Sequence, residues 1–188
     1  RDLSSYDIVA LIMDGKSFAN DQMVVALGVT LSGQKVILGF VQTATENGKA
    51  IQQFLEGLLD RGLRIEQGIL AVVDGSKGFH SAVKVAFKNK VLIQRCQWHK
   101  RENVVSYMPK TEQPIWRKRL QAAYNKPTHQ EACAALRRIS EELEDRNQSA
   151  YASLQEGLDE TLTLHHLGVY PLIGLSLKTT NCLESINS

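Results

Sequence analysis

The sequence predicts a mixed α/β sheet followed by a block of helices. Three observations predict it. Strand and helix periods alternate through residue 95, two short apolar runs each end in Asp-Gly, and residues 98–164 keep a helical period throughout.

The elements follow in order. Residues 8–13 form a short apolar run ending at Asp14-Gly15. Residues 23–30 and 35–43 are rich in β-branched side chains and flank Ser32-Gly33-Gln34, a hairpin signal. Ile51, Phe54, Leu55, Leu58 and Leu59 then fall on one helical face, with Asn47 as a start and Gly62 as a stop. Residues 69–73 are wholly apolar, as expected of a strand covered on both faces, and end at Asp74-Gly75. Ser76 can cap a helix that carries Phe79, Val83 and Ala86, and residues 91–94 read as a further strand. Three opening strands favour an antiparallel meander, and the next helix allows a right-handed crossover to a parallel strand. Beyond Arg95, residues 98–108, 113–124, 129–144 and 150–164 read as helices. Ala132, Leu136, Ile139 and Leu143 form a clear stripe, and Pro109, Pro114 and Pro127 lie at or near the breaks.

Composition narrows the class. A chain of 188 residues with 43% hydrophobic and 22% charged side chains is not a disordered polymer and fits one domain, or one domain with an insertion. Its apolar runs fall short of the roughly 20 residues that span a bilayer, and no signal peptide opens it. Cys96, Cys133 and Cys182 are widely spaced and odd in number, so a reducing cytosol is expected rather than a disulfide framework. The start at Arg1 and the stop at Ser188 are expected to be internal points of a longer protein. Between Gly75 and Arg101 there is no acidic residue, whereas Lys77, Lys84, Lys88, Lys90, Arg95, Lys100 and Arg101 are basic. From Glu141 to Glu160 the balance reverses, with seven acids against Arg146. The basic stretch is either a face for a polyanion or a set of solvated helix faces.

Asp14 and Asp74 end strands that should be neighbours, and two carboxylates there can hold a divalent cation. Either Asp-Gly pair can equally be a turn. Asn181 and Glu184 have nearly the spacing of a capping box, which by itself explains Glu184. In Arg95-Cys96-Gln97-Trp98-His99-Lys100-Arg101, Cys96 and His99 can share a helical face. A zinc site lacks a second ligand pair, a Cys96 nucleophile lacks a visible relay, and Trp98 and Cys96 can also be packing residues.

Four blocks carry a resemblance: Ile12-Met13-Asp14-Gly15-Lys16, Val72-Val73-Asp74-Gly75-Ser76-Lys77-Gly78, Arg95 to Val104, and Thr179-Thr180-Asn181-Cys182-Leu183-Glu184-Ser185-Ile186-Asn187-Ser188. In order and spacing the chain resembles the Mutator-type bacterial insertion-sequence transposases, a group related to the Mutator-like elements. The resemblance implies a ribonuclease-H-like mixed sheet with an all-helical insertion. The first part of the core spans 1–95, the insertion 96–178, and a helix carrying the third acid begins at 179–188. It implies a catalytic, metal-binding triad of Asp14, Asp74 and Glu184 with two Mg²⁺ (or Mn²⁺) ions, performing strand cleavage and strand transfer. Cys96 and His99 match the family's Cys-x-x-His pair and are expected to shape the active site or touch DNA. Lys77, Arg95, His99, Lys100 and Arg101 are the expected phosphate contacts. The implied partners are terminal inverted repeats and target DNA, with a homo-oligomer in the full-length protein, no membrane, and a bacterial cytoplasmic, nucleoid-associated location. Two alternatives stay open: an inactive DNA-binding remnant, and a resolvase-like nuclease of the same fold.

Overall fold

The computed structural model describes residues 2–18, 21–43 and 48–180, and for residues 16–18 and 21 the backbone alone. Asn47 and Glu184 lie outside the described residues. The chain divides into two compact units, Arg1–Ile93 joined by Thr180, and Gln94–Thr179. Among the described residues no helix is long and apolar enough to cross a membrane.

The first unit is built on a five-stranded sheet. Strands β1 (Ile8–Phe18), β2 (Asp21–Thr30) and β3 (Lys35–Thr43) form the antiparallel meander, and β4 (Ile69–Val73) pairs parallel with β1. Strand β5 (Val91–Arg95) lies outside β4, which gives the order β3-β2-β1-β4-β5. The β2–β3 hairpin turns at Gly33, whose φ of 83° suits a residue without Cβ, and closes with Thr30 N–H donating to the Gln34 carbonyl at 2.9 Å.

One strand departs from the sequence reading. Asp14-Gly15 does not end β1: Asp14 pairs with Val25, Gly15 pairs with Val24, and the strand runs on to Phe18. A dipeptide that favours turns locally is overridden by the ladder that β2 offers it.

Helices α1 (Gly48–Asp60) and α2 (Lys77–Phe87) pack on one face of the sheet. Leu11 and Met13 of β1 and Ala71 and Val73 of β4 point into a core with Ile51, Leu55 and Leu58 of α1 and Phe79 and Val83 of α2. Each such fully buried large side chain contributes about 1.5–3 kcal/mol of transfer free energy. With a period of two, Ala10, Ile12 and Asp14 belong to the other face.

The second unit is helical. It comprises α3 (Gln97–Ser106), α4 (Gln113–Tyr124), α5 (His129–Arg146), α6 (Gln148–Gln155), a 3-10 turn (Asp159–Leu162), α7 (Thr163–His166) and α8 (Tyr170–Leu177). Its core joins Val104, Trp116, Leu120 and Leu154 to the expected stripe of α5, Ala132, Leu136, Ile139 and Leu143. Thr128 closes a full capping box with Glu131 at the start of α5. Pro114 lies inside the first turn of α4, where the missing N–H costs nothing. The single helix expected over 150–164 is divided. Gly157 takes φ 64° and stops the first part, and the chain resumes as the 3-10 turn and α7.

Candidate active site

The parallel pairing of β1 and β4 sets the geometry of the first two acids. Ala10 pairs with Leu70, Leu11 with Ala71 and Ile12 with Val72, a constant offset. Two residues beyond the last of these pairs come Asp14, still within β1, and Asp74, in the turn just past β4. Asp14 is only 7% exposed, in a strand where Leu11, Ile12 and Met13 are fully buried. A carboxylate there is costly unless hydrogen bonds or cations compensate it.

Asp74 lies in a turn just past Val73. Its Oδ1 accepts the Ser76 N–H at 2.8 Å, and Ser76 Oγ in turn accepts the Phe79 N–H at 3.3 Å and caps α2. Turn chemistry is therefore true of Asp74, and it fixes the plane of the carboxylate. The positive ends of both helices gather at this edge of the sheet. The first residue of α1, Gly48, approaches α2 so closely that a Cβ on it would sit 3.4 Å from the Gly78 carbonyl oxygen. The exposed Lys77 opens α2. Helix N-termini here favour negative charge on the acids or on a bound anion.

Glu184 lies outside the described residues, but the chain leading to it is informative. Thr180, only 1% exposed, belongs to the sheet unit and not to the helical one. Among the described residues, no group of three or more His, Cys, Asp or Glu side chains is placed to hold a metal ion.

The block from Arg95 to Arg101 is placed in the helical unit, and its cations are put to internal use. Arg95 Nη1 donates to the Glu156 carbonyl at 2.8 Å and Nη2 to Glu156 Oε1 at 3.1 Å. Lys100, 2% exposed, donates from Nζ to the Ser153 carbonyl at 2.6 Å and the Glu156 carbonyl at 2.5 Å. Burial, and then the charge of Arg95, pull the Lys100 ammonium down to about 8. Burial works against the charge of Glu156, but the hydrogen bond and charge of Arg95, with help from Lys100, outweigh it and hold its carboxyl below the usual range. Arg101 donates to Gln121 Oε1 at 2.6 Å and to Glu102 at 2.9 Å. Cys96 is fully buried at the N-cap of α3, and the His99 ring meets Trp98 edge-on, with centroids 4.8 Å apart. Of the residues expected to touch phosphate, Arg95 and Lys100 are thus buried with their charged heads satisfied by Glu156 and nearby carbonyls. The physical reason is the acidic stretch downstream, which supplies the counter-charge.

Gln94, Glu156 and Gly157 were missed as organising residues. Gln94 is fully buried, donates to the carbonyls of Arg95 and Thr161 at 2.8 Å, and accepts the Leu164 N–H at 3.0 Å. Gly157 leaves room for Arg95, since a Cβ on it would lie 2.1 Å from Nη1. The one available signal was Glu156-Gly157, a Glu-Gly inside an expected helix.

Comparison with known proteins places the chain. Residues 7–188 match the family described as "Transposase, Mutator family". The chain belongs to that family. It is 30% identical over 192 residues to the transposase for insertion sequence element IS6120 of Mycolicibacterium smegmatis, covering 98% of this chain and 58% of the relative. It is 30% identical over 168 residues to the transposase for IS256 in transposon Tn4001 of Staphylococcus aureus, covering 87% of this chain and 41% of the relative. The IS905 transposase of Lactococcus lactis is 29% identical over 163 residues. The chain therefore spans about half the length of the curated relatives it matches.

Proposed function

We propose that this chain is the catalytic core of a DNA transposase that performs divalent-metal-dependent strand cleavage and strand transfer at insertion-sequence ends. The observation that carries the reading is the parallel β1–β4 pairing, since Asp14 and Asp74 each follow two residues after the last paired residues, Ile12 and Val72. Family membership supports a DNA-acting enzyme, and a mixed sheet whose antiparallel meander continues in a parallel strand supports a ribonuclease-H-like core.

Two carboxylates, one within β1 and one just past the end of its neighbour β4, are a hard-oxygen donor set, which fits Mg²⁺ or Mn²⁺. Asp14, Asp74 and Glu184 are the residues that would hold a pair of such ions. When bound, the ions would supply Lewis-acid activation of an attacking oxygen and stabilisation of the leaving oxygen at phosphorus. The protein's own part is positional. Strand β1 holds Asp14 in a fixed ladder, the Ser76 amide fixes the Asp74 carboxylate, and the α1 and α2 N-termini favour phosphate at that edge. Cys96 and His99 are proposed to shape the site, and Lys77 to meet DNA. Terminal inverted repeats and target DNA are the proposed partners, with homo-oligomerisation in the full-length protein.

The test is cleavage of labelled element-end DNA by the full-length protein with Mg²⁺ or Mn²⁺. Asp14→Ala, Asp74→Ala and Glu184→Ala should each drop cleavage to background while DNA is still bound. Unchanged cleavage by Asp74→Ala would overturn the triad. Wild-type DNA binding without cleavage would assign an inactive remnant, and cut ends without joined product would assign a nuclease.

A further inference from the structure

The solvent face of α5 carries charge that its own helical unit does not use. Ala134, Arg137, Arg138, Glu141, Glu144 and Asp145 are exposed, and all lie inside the helix. At 100° per residue they keep within an arc of about 120°, over about 16 Å of axis. Ala132, Leu136, Ile139, Ser140 and Leu143 fill the opposite, buried face. Among the described residues the five charged side chains make no hydrogen bond or ion pair with one another or with a neighbour. Glu142, beside them, is by contrast held by Arg119 and Arg146.

The order of these charges is the unfavourable one for a helix standing alone. Two cations come first and three acids follow. The acids occupy the last two turns of α5, where the helix dipole favours cations. Arg137 ahead of Glu141 is also the weaker orientation of an i, i+4 pair. A second α5 lying antiparallel corrects both faults, because it brings its cations to these acids and its acids to these cations. With a two-fold axis between Arg138 and Glu141, Arg138 meets Glu141 of the second copy and Arg137 meets Glu144 of the second copy. Ala134, a small residue, then leaves room beside Asp145 of the second copy. Positions 134, 138, 141 and 145 alternate steps of four and three, the spacing of a seam between two helices.

We propose that the solvent face of α5 is a two-fold contact between two copies of this chain, with Arg137 and Arg138 of each copy set against Glu141, Glu144 and Asp145 of the other. The proposal rests on the homo-oligomerisation proposed above and names a surface for it. Charge complementarity favours this occupant. A face that carries both signs in succession complements itself under a two-fold rotation. A polyanion such as DNA would meet three acids beside the two cations.

The experiment measures self-association of the full-length protein by analytical ultracentrifugation over a concentration series, in EDTA and without DNA, at low and high salt. Association should weaken as salt rises. Arg137→Glu/Arg138→Glu should weaken it about tenfold or more, because each reversal turns an attraction into a repulsion. Adding Glu141→Arg/Glu144→Arg/Asp145→Arg to the same chain inverts the pattern but keeps it self-complementary. Association should then return to the wild-type level, which also excludes misfolding as the cause of the loss. Wild-type association by Arg137→Glu/Arg138→Glu, or no recovery in the combined variant, overturns the proposal. A monomeric wild-type protein overturns it together with the homo-oligomerisation reading, whereas an oligomer indifferent to α5 overturns the face alone. Weakened duplex binding by Arg137→Glu/Arg138→Glu, with association unchanged, assigns the face to DNA instead. Because neither DNA nor divalent metal is present, the result is independent of whether cleavage depends on Asp14 and Asp74.

Discussion

Gly157→Ala separates two costs that are usually confounded. The substitution forces an L-residue to φ 64° and drives a Cβ to 2.1 Å from Arg95 Nη1. The conformational part is about 1–2 kcal/mol. The displaced guanidinium, whose side chain is 8% exposed, must also give up a 2.8 Å bond to the Glu156 carbonyl. A charge-assisted bond of this kind is worth about 1.5–3 kcal/mol, so the total is about 2.5–5 kcal/mol. Gly33→Ala is the control: φ is 83° there, but nothing lies within 4 Å of an added Cβ, so only the conformational part applies. The assay is urea unfolding followed by tryptophan fluorescence. Both tryptophans, Trp98 and Trp116, lie in the helical unit, so the signal reports that unit. With slopes of about 1–3 kcal/mol per molar urea, Gly157→Ala should lower the fluorescence midpoint by at least about 1 M. Gly33→Ala, in the sheet unit, should be read by far-ultraviolet circular dichroism and cost about 1–2 kcal/mol. If the two substitutions cost the same, the Arg95–Glu156 contact carries no stability and the reasoning fails.

Other outcomes follow from the same contacts. Lys100 has a folded pKa below its unfolded value, so between about 8 and 10.5 the unfolded chain binds more protons and the stability of the helical unit should rise with pH across that window. A Lys100→Met variant should lack that rise, and equal pH profiles would contradict the buried ammonium. Thr128→Ala removes the capping box of α5 and should cost about 1 kcal/mol in the tryptophan-detected transition. Leu136→Ala, fully buried in the same helix, should cost about 2–5 kcal/mol, and a cost under 1 would misplace the stripe. Ser76→Ala keeps the backbone N–H that Asp74 accepts but removes the cap of α2, and should cost about 1 kcal/mol and, by fraying the first turn of α2 next to Asp74, lower cleavage more than DNA binding. Equal losses in both would deny Ser76 a positioning role.

Much of the architecture was legible because it rests on local periodicity. The apolar runs before Asp14 and Asp74, the faces of α1 and α2, the cap at Ser76 and the stripe of α5 all depend on nearby residues. What escaped the sequence depends on distant partners. Asp14 lies within a strand, not at its end, because β2 supplies Val25 as its ladder partner. The fate of Lys100 is set by carbonyls 53 and 56 residues downstream, and that of Arg95 by Glu156, 61 residues downstream. A basic run and an acidic run that look like separate surfaces in the sequence thus neutralise one another in part. The register of β1 with β4 could be guessed only as a juxtaposition of strands, since the offset between two parallel strands is fixed by packing and not by either strand alone. Glu184 rests on the resemblance alone.

The unequal lengths of β1 and β4 have a mechanical consequence. Strand β1 continues past Asp14 to Phe18, braced along one flank by β2, while β4 ends at Val73 and the chain swings into α2. One acid is therefore held by the ladder that runs on along both sides of it, and the other by a single turn whose Ser76 amide ties it to the start of α2.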